Sequence, residues 1–177
     1  AGLVERHNGV WGGCWCLHFH EEGAPNKLPV AERRARKHER VRAGTSQSAL
    51  VYDGAACIGW CQFGRTAELV RIKNRKAYDA EAEALPDWRI TCFFVDKAHR
   101  RRGVAEAALA GAVDEIARLG GGMVEGYPED VEGRKTSASF LHAGTVPMFE
   151  RNGFARERPL GKNHWVMVRT VAASDVT

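Results

Sequence analysis

The chain has 177 residues, 44% of them hydrophobic and 27% charged, enough for one globular domain with a full core and too few for two comfortable ones. Its net charge of +4 favours anionic ligands without arguing for nucleic acid, and no apolar run approaches the roughly twenty residues of a transmembrane helix. Five cysteines, an odd number without small-scaffold spacing, point to reduced thiols and a cytoplasmic setting. No secretory leader is evident, and a start at Ala1 rather than Met points to residues removed or missing upstream.

In chain order, Gly2 to His7 reads as a short helix broken at Asn8-Gly9, and Trp11-Gly12-Gly13 leads into Cys14 to His20. That stretch alternates, with Trp15, Leu17 and Phe19 on one strand face and Cys14, Cys16, His18 and His20 on the other. Neighbours on one face of a straight strand stand roughly 6.6 Å apart, so four such ligands cannot close tetrahedrally around one ion, and no metal is expected. The plain reading is a first strand with one buried face. Glu21 to Lys27 is a loop with Pro25 and Asn26. Pro29 opens a helix from Val30 to Ala43 whose Arg and Lys residues outnumber its Glu residues. That helix is either a solvated surface with Glu–Arg pairing or an overhang that attracts an anion.

Ala49–Tyr52 and Ala55–Phe63 read as a hairpin across Asp53-Gly54, a dipeptide suited to a type I′ turn, with Gly59 marking close approach or a bulge. Gly64 to Pro86 is polar and irregular, with a helix over Tyr78 to Ala84; it is either a surface excursion or a flap. Ile90 to Val95 is a short apolar run, the pattern of a buried strand. Val104, Ala108, Leu109, Ala112, Val113, Ile116 and Leu119 then line one face of a helix, which ends at Gly120-Gly121-Gly122. Met123 to Pro128 is the next strand, parallel to the Ile90–Val95 strand because a helix crosses between them. Ser139 to Asn152 contains a helix starting near Thr145, an N-cap residue, with Pro147 in its first turn and Gly153 beyond its end. Phe154–Arg156 and His164–Val171 close the chain as a hairpin. The expected organisation is one domain over residues 1–171 and a frayed tail over 172–177.

Between strand and helix lies Asp96-Lys97-Ala98-His99-Arg100-Arg101-Arg102-Gly103-Val104-Ala105. A helix start leaves main-chain N–H groups unpaired and carries partial positive charge. Gly103 and Ala105 keep side chains out of the way, and Arg100, Arg101 and Arg102 add charge, so a diphosphate is a natural guest. The turn lacks the Gly-Lys-Ser/Thr of a P-loop and the three-glycine dinucleotide pattern.

The run Val95 … Arg100-x-x-Gly103-x-Ala105 resembles the acetyl-CoA signature of the GNAT N-acetyltransferase superfamily. Met148-Phe149-Glu150-Arg151-Asn152-Gly153-Phe154 is similar to the Tyr-Glu-x-x-Gly-Phe close of that family's last helix. The resemblance spans about Ala49 to Arg169. It implies an α/β fold, a central mixed β-sheet with splayed parallel strands flanked by helices. It also implies acetyl-CoA as acyl donor, with its pantetheine arm on the main chain of Phe93, Phe94 and Val95. The diphosphate would sit on the N–H groups from Arg101 to Ala105, with Val104, Thr145 and Phe149 completing the cofactor site.

The implied reaction is direct attack of an acceptor amine on the thioester, without nucleic acid or membrane and in a chain whose relatives are often homodimers. Glu125 is the candidate base, with Tyr127 or Cys92 in support; a salt-bridged or surface carboxylate is the competing reading of Glu125. Cys14, Cys16, His18 and Trp60 are the candidate acceptor-side residues. Two departures stand out. Phe149 replaces a tyrosine that the family uses to protonate the leaving thiolate, and the family's helix-start asparagine falls at His142. With Phe149 in that place, a non-catalytic acyl-CoA-binding module on the same fold is the alternative.

Overall fold

The computed structural model describes residues 1–8, 13, 15–21, 23, 28–137 and 140–174. Expectations resting on Gly9, Trp11, Gly12, Cys14, Pro25, Asn26, Lys27, Ser139 and the last three residues of the tail lie outside the described residues.

Among the described residues, six strands form one sheet: β1 (Gln47–Asp53), β2 (Ala56–Arg65), β3 (Trp88–Val95), β4 (Gly122–Gly126), β5 (Ala155–Leu160) and β6 (His164–Val171). Their spatial order is β1-β2-β3-β4-β6-β5, and only β3 and β4 run parallel. Five helices accompany them: α1 (Gly2–Arg6), α2 (Val30–Arg42), α3 (Arg75–Glu81), α4 (Val104–Arg118) and α5 (Val146–Arg151).

The sheet's core side is built by α4. Its Val104, Ala108, Leu109, Ala112, Val113 and Ile116 are buried, at the spacing that places them on one face. All of these but Val104 meet Cys61, Phe63, Trp88, Ile90, Phe93 and Val124 in one apolar cluster. Burying a Leu or Ile side chain in such a layer contributes on the order of 1.5–3 kcal/mol. Gly59 lets α4 sit close to β2, because a Cβ there would fall 2.6 Å from Val104 Cγ1. The Gly120–Gly122 stop holds too: Gly121 donates to Ile116 O at 2.9 Å with φ +67°.

Four local expectations are corrected. Residues 15–20 form turns, and Trp15 and Cys16 have φ of 50° and 53°. That left-handed backbone breaks the alternation, so Cys16 and His18 do not share a strand face. The β1–β2 loop is Gly54-Ala55, since Asp53 pairs with Ala56, and positive φ at Gly54 alone does not satisfy type I′ geometry. The third helix runs Arg75–Glu81, one turn earlier than expected, after Asn74 in the left-handed region. The last helix is short, Val146–Arg151, with Pro147 in its first turn as expected, but Thr145 makes no side-chain cap bond.

Two irregularities position everything that follows. Cys92 pairs with Gln62 and Ile90 with Phe63, so Thr91 is an extra residue in β3. Trp88 and Ile90 face α4; beyond the bulge Phe93 takes that side, while Cys92 joins Cys16, Phe19 and Leu69 on the other. The second irregularity is the parallel pair itself. Register runs Trp88–Val124, Arg89–Glu125 and Ile90–Gly126, then stops, and Thr91 to Val95 have no β4 partner. The chain after β4 bends instead to Thr145 and His164, which bridge Glu129.

Phe149 holds this opening. Its ring stands edge-on to Phe93 at 6.1 Å, and a Cβ on Gly126 would lie 2.1 Å from its Cε1. Fully buried, it touches both strands where they part, so it acts as a wedge between them.

Candidate functional site

The parted strands leave a cleft of about 1130 Å³. Its floor is the unpaired end of β3, Phe93, Phe94 and Val95; one wall is the turn and start of α4, Arg100, Arg101, Gly103, Val104 and Ala105. The opposite wall is the 3₁₀ turn Leu141–Ala143 with Gly144, Thr145 and Met148.

The turn is set by Asp96. Its carboxylate accepts the Ala98 N–H at 3.0 Å, and His7 Nε2, Arg6 Nη2 and His99 Nδ1 approach it at 3.3, 3.4 and 3.7 Å. The Ala98 N–H, then the neighbouring His7 and Arg6, hold its pKa down from 3.8 to about 2, against a smaller opposing effect of burial. From there the backbone turns through two left-handed residues, Arg101 at φ 59° and Gly103 at φ 77°. An L-residue in that region costs roughly 1–2 kcal/mol, so Arg101 is strained and Gly103 is the natural occupant. Gly103 caps α4 without a side-chain cap bond, and a Cβ placed there would meet nothing within 4 Å. The first N–H groups of α4 therefore face open space at the positive end of the helix dipole, beside Lys97, Arg100 and Arg101. At the mouth, Arg151 donates to both carboxylate oxygens of Glu106 at 2.9 Å, tying α5 to α4 and lowering the Glu106 pKa.

The unpaired edge of β3, the open helix start and the cationic rim fit an extended diphosphate-bearing ligand such as an acyl-CoA. The strand could supply main-chain partners for an amide-containing arm, and the helix start N–H donors for a diphosphate.

Of the residues singled out for the cofactor, Phe93, Phe94, Val95, Arg100, Arg101, Gly103, Val104, Ala105 and Thr145 line this cleft. Arg102 is exposed outside the lining. Phe149 lies beneath the cleft as the wedge, because its ring is locked between Phe93, Phe154 and Gly126. Glu125 and Tyr127 are buried at the zipped end of the strand pair, outside the lining. The hydroxyls of Tyr78 and Tyr127 both donate to Glu125 Oε2, at 2.9 and 2.7 Å. Burial, opposed by Arg89, pushes the Tyr127 hydroxyl well above its usual pKa and keeps it a donor.

Of the residues singled out for an acceptor, Cys16 is buried against Phe19, Leu69 and Cys92, and Trp60 packs on Phe94 at 5.7 Å. His18 is exposed and edge-on to Phe19 at 5.3 Å; partial burial and the nearby Arg71 lower its pKa. These residues back the cleft without lining it.

Sequence reading missed His7, which joins the lining from α1 with its ring 5.3 Å from Phe94, and the Glu106–Arg151 pair. His7 and Asp96 are too far apart in the chain for any periodicity to join them. His142, placed outside the last helix, is on the 3₁₀ turn and lines the cleft.

Comparison with known proteins bears directly on this geometry. The family model described as the acetyltransferase (GNAT) family matches residues 14–132. No curated protein matches the chain. Among solved structures, the chain is similar to a histone acetyltransferase HPA2 and related acetyltransferase from Corynebacterium glutamicum, at 15% identity over 99% of this chain and 92% of that one, TM-score 0.52. It is similar to a protein from Desulfovibrio desulfuricans assigned to the same family, at 17% identity over 96% and 91%, TM-score 0.54. The PaiA N-acetyltransferase of Thermoplasma acidophilum, solved in complex with coenzyme A, matches at 15% identity over 95% and 90%, TM-score 0.52. At such identities the likeness is one of fold.

Proposed function

Because the chain belongs to the GNAT acetyltransferase family, we propose that it is an acetyl-CoA-dependent N-acetyltransferase that passes an acetyl group to an amine by direct attack on the thioester. The observation that carries this reading is the parting of β3 from β4 beside an uncapped, cation-rimmed helix start. The unpaired main chain of Phe93 and Val95 would hold the pantetheine arm, and the N–H groups from Arg101 to Ala105 the diphosphate. A coenzyme A complex of a similar fold supports the ligand class. A strand N–H aimed at the thioester carbonyl stabilises the charge that grows on its oxygen. Holding amine and thioester together accounts for much of the rate. The acceptor amine must be neutral when it attacks, so one proton leaves it before or during bond formation.

Gly103→Glu tests the cradle. A carboxylate placed against the diphosphate should weaken CoA binding about 100-fold or more, measured by calorimetry. Gly103→Ala carries the same backbone strain without the charge and should lose less than roughly tenfold. Equal affinity in the Glu variant and the parent would overturn the assignment. An acceptor screen with acetyl-CoA, read by free thiol and mass shift, then separates a transferase from a module that binds acyl-CoA without turnover.

A further inference from the structure

We infer that His142 is the proton carrier of this site: it takes the proton from the attacking amine and returns it to the sulfur of the departing CoA thiolate. The inference rests on the acetyltransferase reading above and assigns its missing acid and base.

The titratable groups of the cleft wall narrow the choice. Lys97, Arg100, Arg101 and Arg151 are cations that hold no lone pair to offer at neutral pH. Glu106 is bound through both oxygens by Arg151. His7 and His99 both approach the Asp96 carboxylate, at 3.3 and 3.7 Å, on the side of the diphosphate turn. Glu125 and Tyr127 lie outside the lining, and Phe149 has no proton to give. His142 is the titratable lining residue on the 3₁₀ turn, across the cleft from the diphosphate turn.

Its place follows from its neighbours. His142 stands on the 3₁₀ turn Leu141–Ala143, and the next residue, Gly144, lies so close to β3 that a Cβ there would fall 3.2 Å from Phe93 Cε2. The His142 ring is 6.5 Å from that of Phe19, which packs with Cys92 beside Phe93. The turn that carries His142 thus packs beside Phe93, in the stretch of β3 that has no β4 partner, and His142 lines the cleft there.

Behind it is a second pair. His164 Nε2 lies 3.0 Å from Glu129 Oε2, and Arg134 lies 3.2 Å from Glu129 Oε1, with Glu129 and His164 both buried. Burial lowers the His164 pKa against the raising pull of Glu129, with smaller lowering contributions from Lys73, His142 and Arg134.

The step balances. The amine nitrogen forms a bond to the acetyl carbonyl carbon, and the carbon–sulfur bond breaks with its electron pair going to sulfur. One nitrogen-bound proton moves to His142 and from there to sulfur, giving N-acetylamine and CoA thiol, with His142 returned to its starting state. An acceptor that arrives as an ammonium loses its extra proton to solvent first.

The test uses CoA alone and needs no acceptor. Thiolate absorbance of protein-bound CoA is titrated from pH 5 to 10 for the parent chain and for His142→Gln, with each protein's desulfo-CoA complex as blank. An imidazolium beside the sulfur lowers the parent's midpoint below the about 8.5 of an ordinary thiol. In His142→Gln the midpoint should rise by roughly one pH unit or more. His142→Asn serves as the second variant and should match His142→Gln. Coincident titrations of parent and variants overturn the proposal. Failure of the parent itself to bind CoA would overturn the acetyltransferase reading instead.

Discussion

The two halves of the β3–β4 pair solve opposite problems with the same two segments. At the zipped half, Trp88 to Ile90 lie in register with Val124 to Gly126, and the space beside them is filled by a buried polar group: Arg89, Glu125, Tyr78 and Tyr127. Arg89 donates to Leu69 O at 2.8 Å, and the two phenols satisfy Glu125. At the open half the strands are held apart by one apolar ring, Phe149, and the freed strand edge faces a cleft. The lesson is that opening a sheet requires a tight closure next to it. Polar residues buried in the closed half fix the register, since moving any of them would leave charges and hydroxyls unpaired.

Three changes break or sharpen that contrast. Phe149→Ala should act most strongly, removing a buried ring at a cost of about 3–5 kcal/mol in chemical denaturation. The same variant lets the strands approach, so CoA affinity should fall roughly tenfold as the preorganised gap is lost. Unchanged affinity in a folded Phe149→Ala protein would deny the wedge its role.

Glu125→Ala should cost somewhat less, about 1–3 kcal/mol for each buried phenol left without its acceptor. Its signature differs: CoA binding in the folded fraction should stay within about threefold, since the residue is outside the cleft. A variant of full stability that abolishes turnover would restore Glu125 as a catalytic group.

The smallest effect concerns the turn below the helix start. Asp96 has a pKa depressed from 3.8 to about 2, so its contribution is complete above about pH 4 and is lost as pH falls toward 2. Asp96→Asn should therefore be less stable than the parent at neutral pH, and the difference should vanish near pH 2. A constant gap from pH 7 down to 2 would mean the carboxylate's charge is not what holds the turn.

Local periodicity was enough to read α4, the β1–β2 hairpin, the parallel relation of β3 to β4 and the open helix start at Gly103. Each depends on residues close in the chain: an apolar stripe at three- and four-residue steps, a turn dipeptide, a glycine where φ is positive. Alternation misled over residues 15–20, because left-handed backbone at Trp15 and Cys16 turns the chain where hydropathy alone reads a strand. The bulge at Thr91 was equally invisible, although it decides that Phe93 points to the core and Cys92 to the opposite side.

By itself, then, the sequence determined the open, cation-rimmed helix start and the family likeness, since both are written in short runs whose geometry is local. The tertiary structure decided what stands around that helix start: that Phe149 spreads the strands, that Glu125 is sealed beneath two tyrosines, and that His7 and His142 reach the cleft from distant segments. Those placements follow from long-range packing and from the satisfaction of buried polar groups. Neither has a period or a spacing that a linear reading can detect.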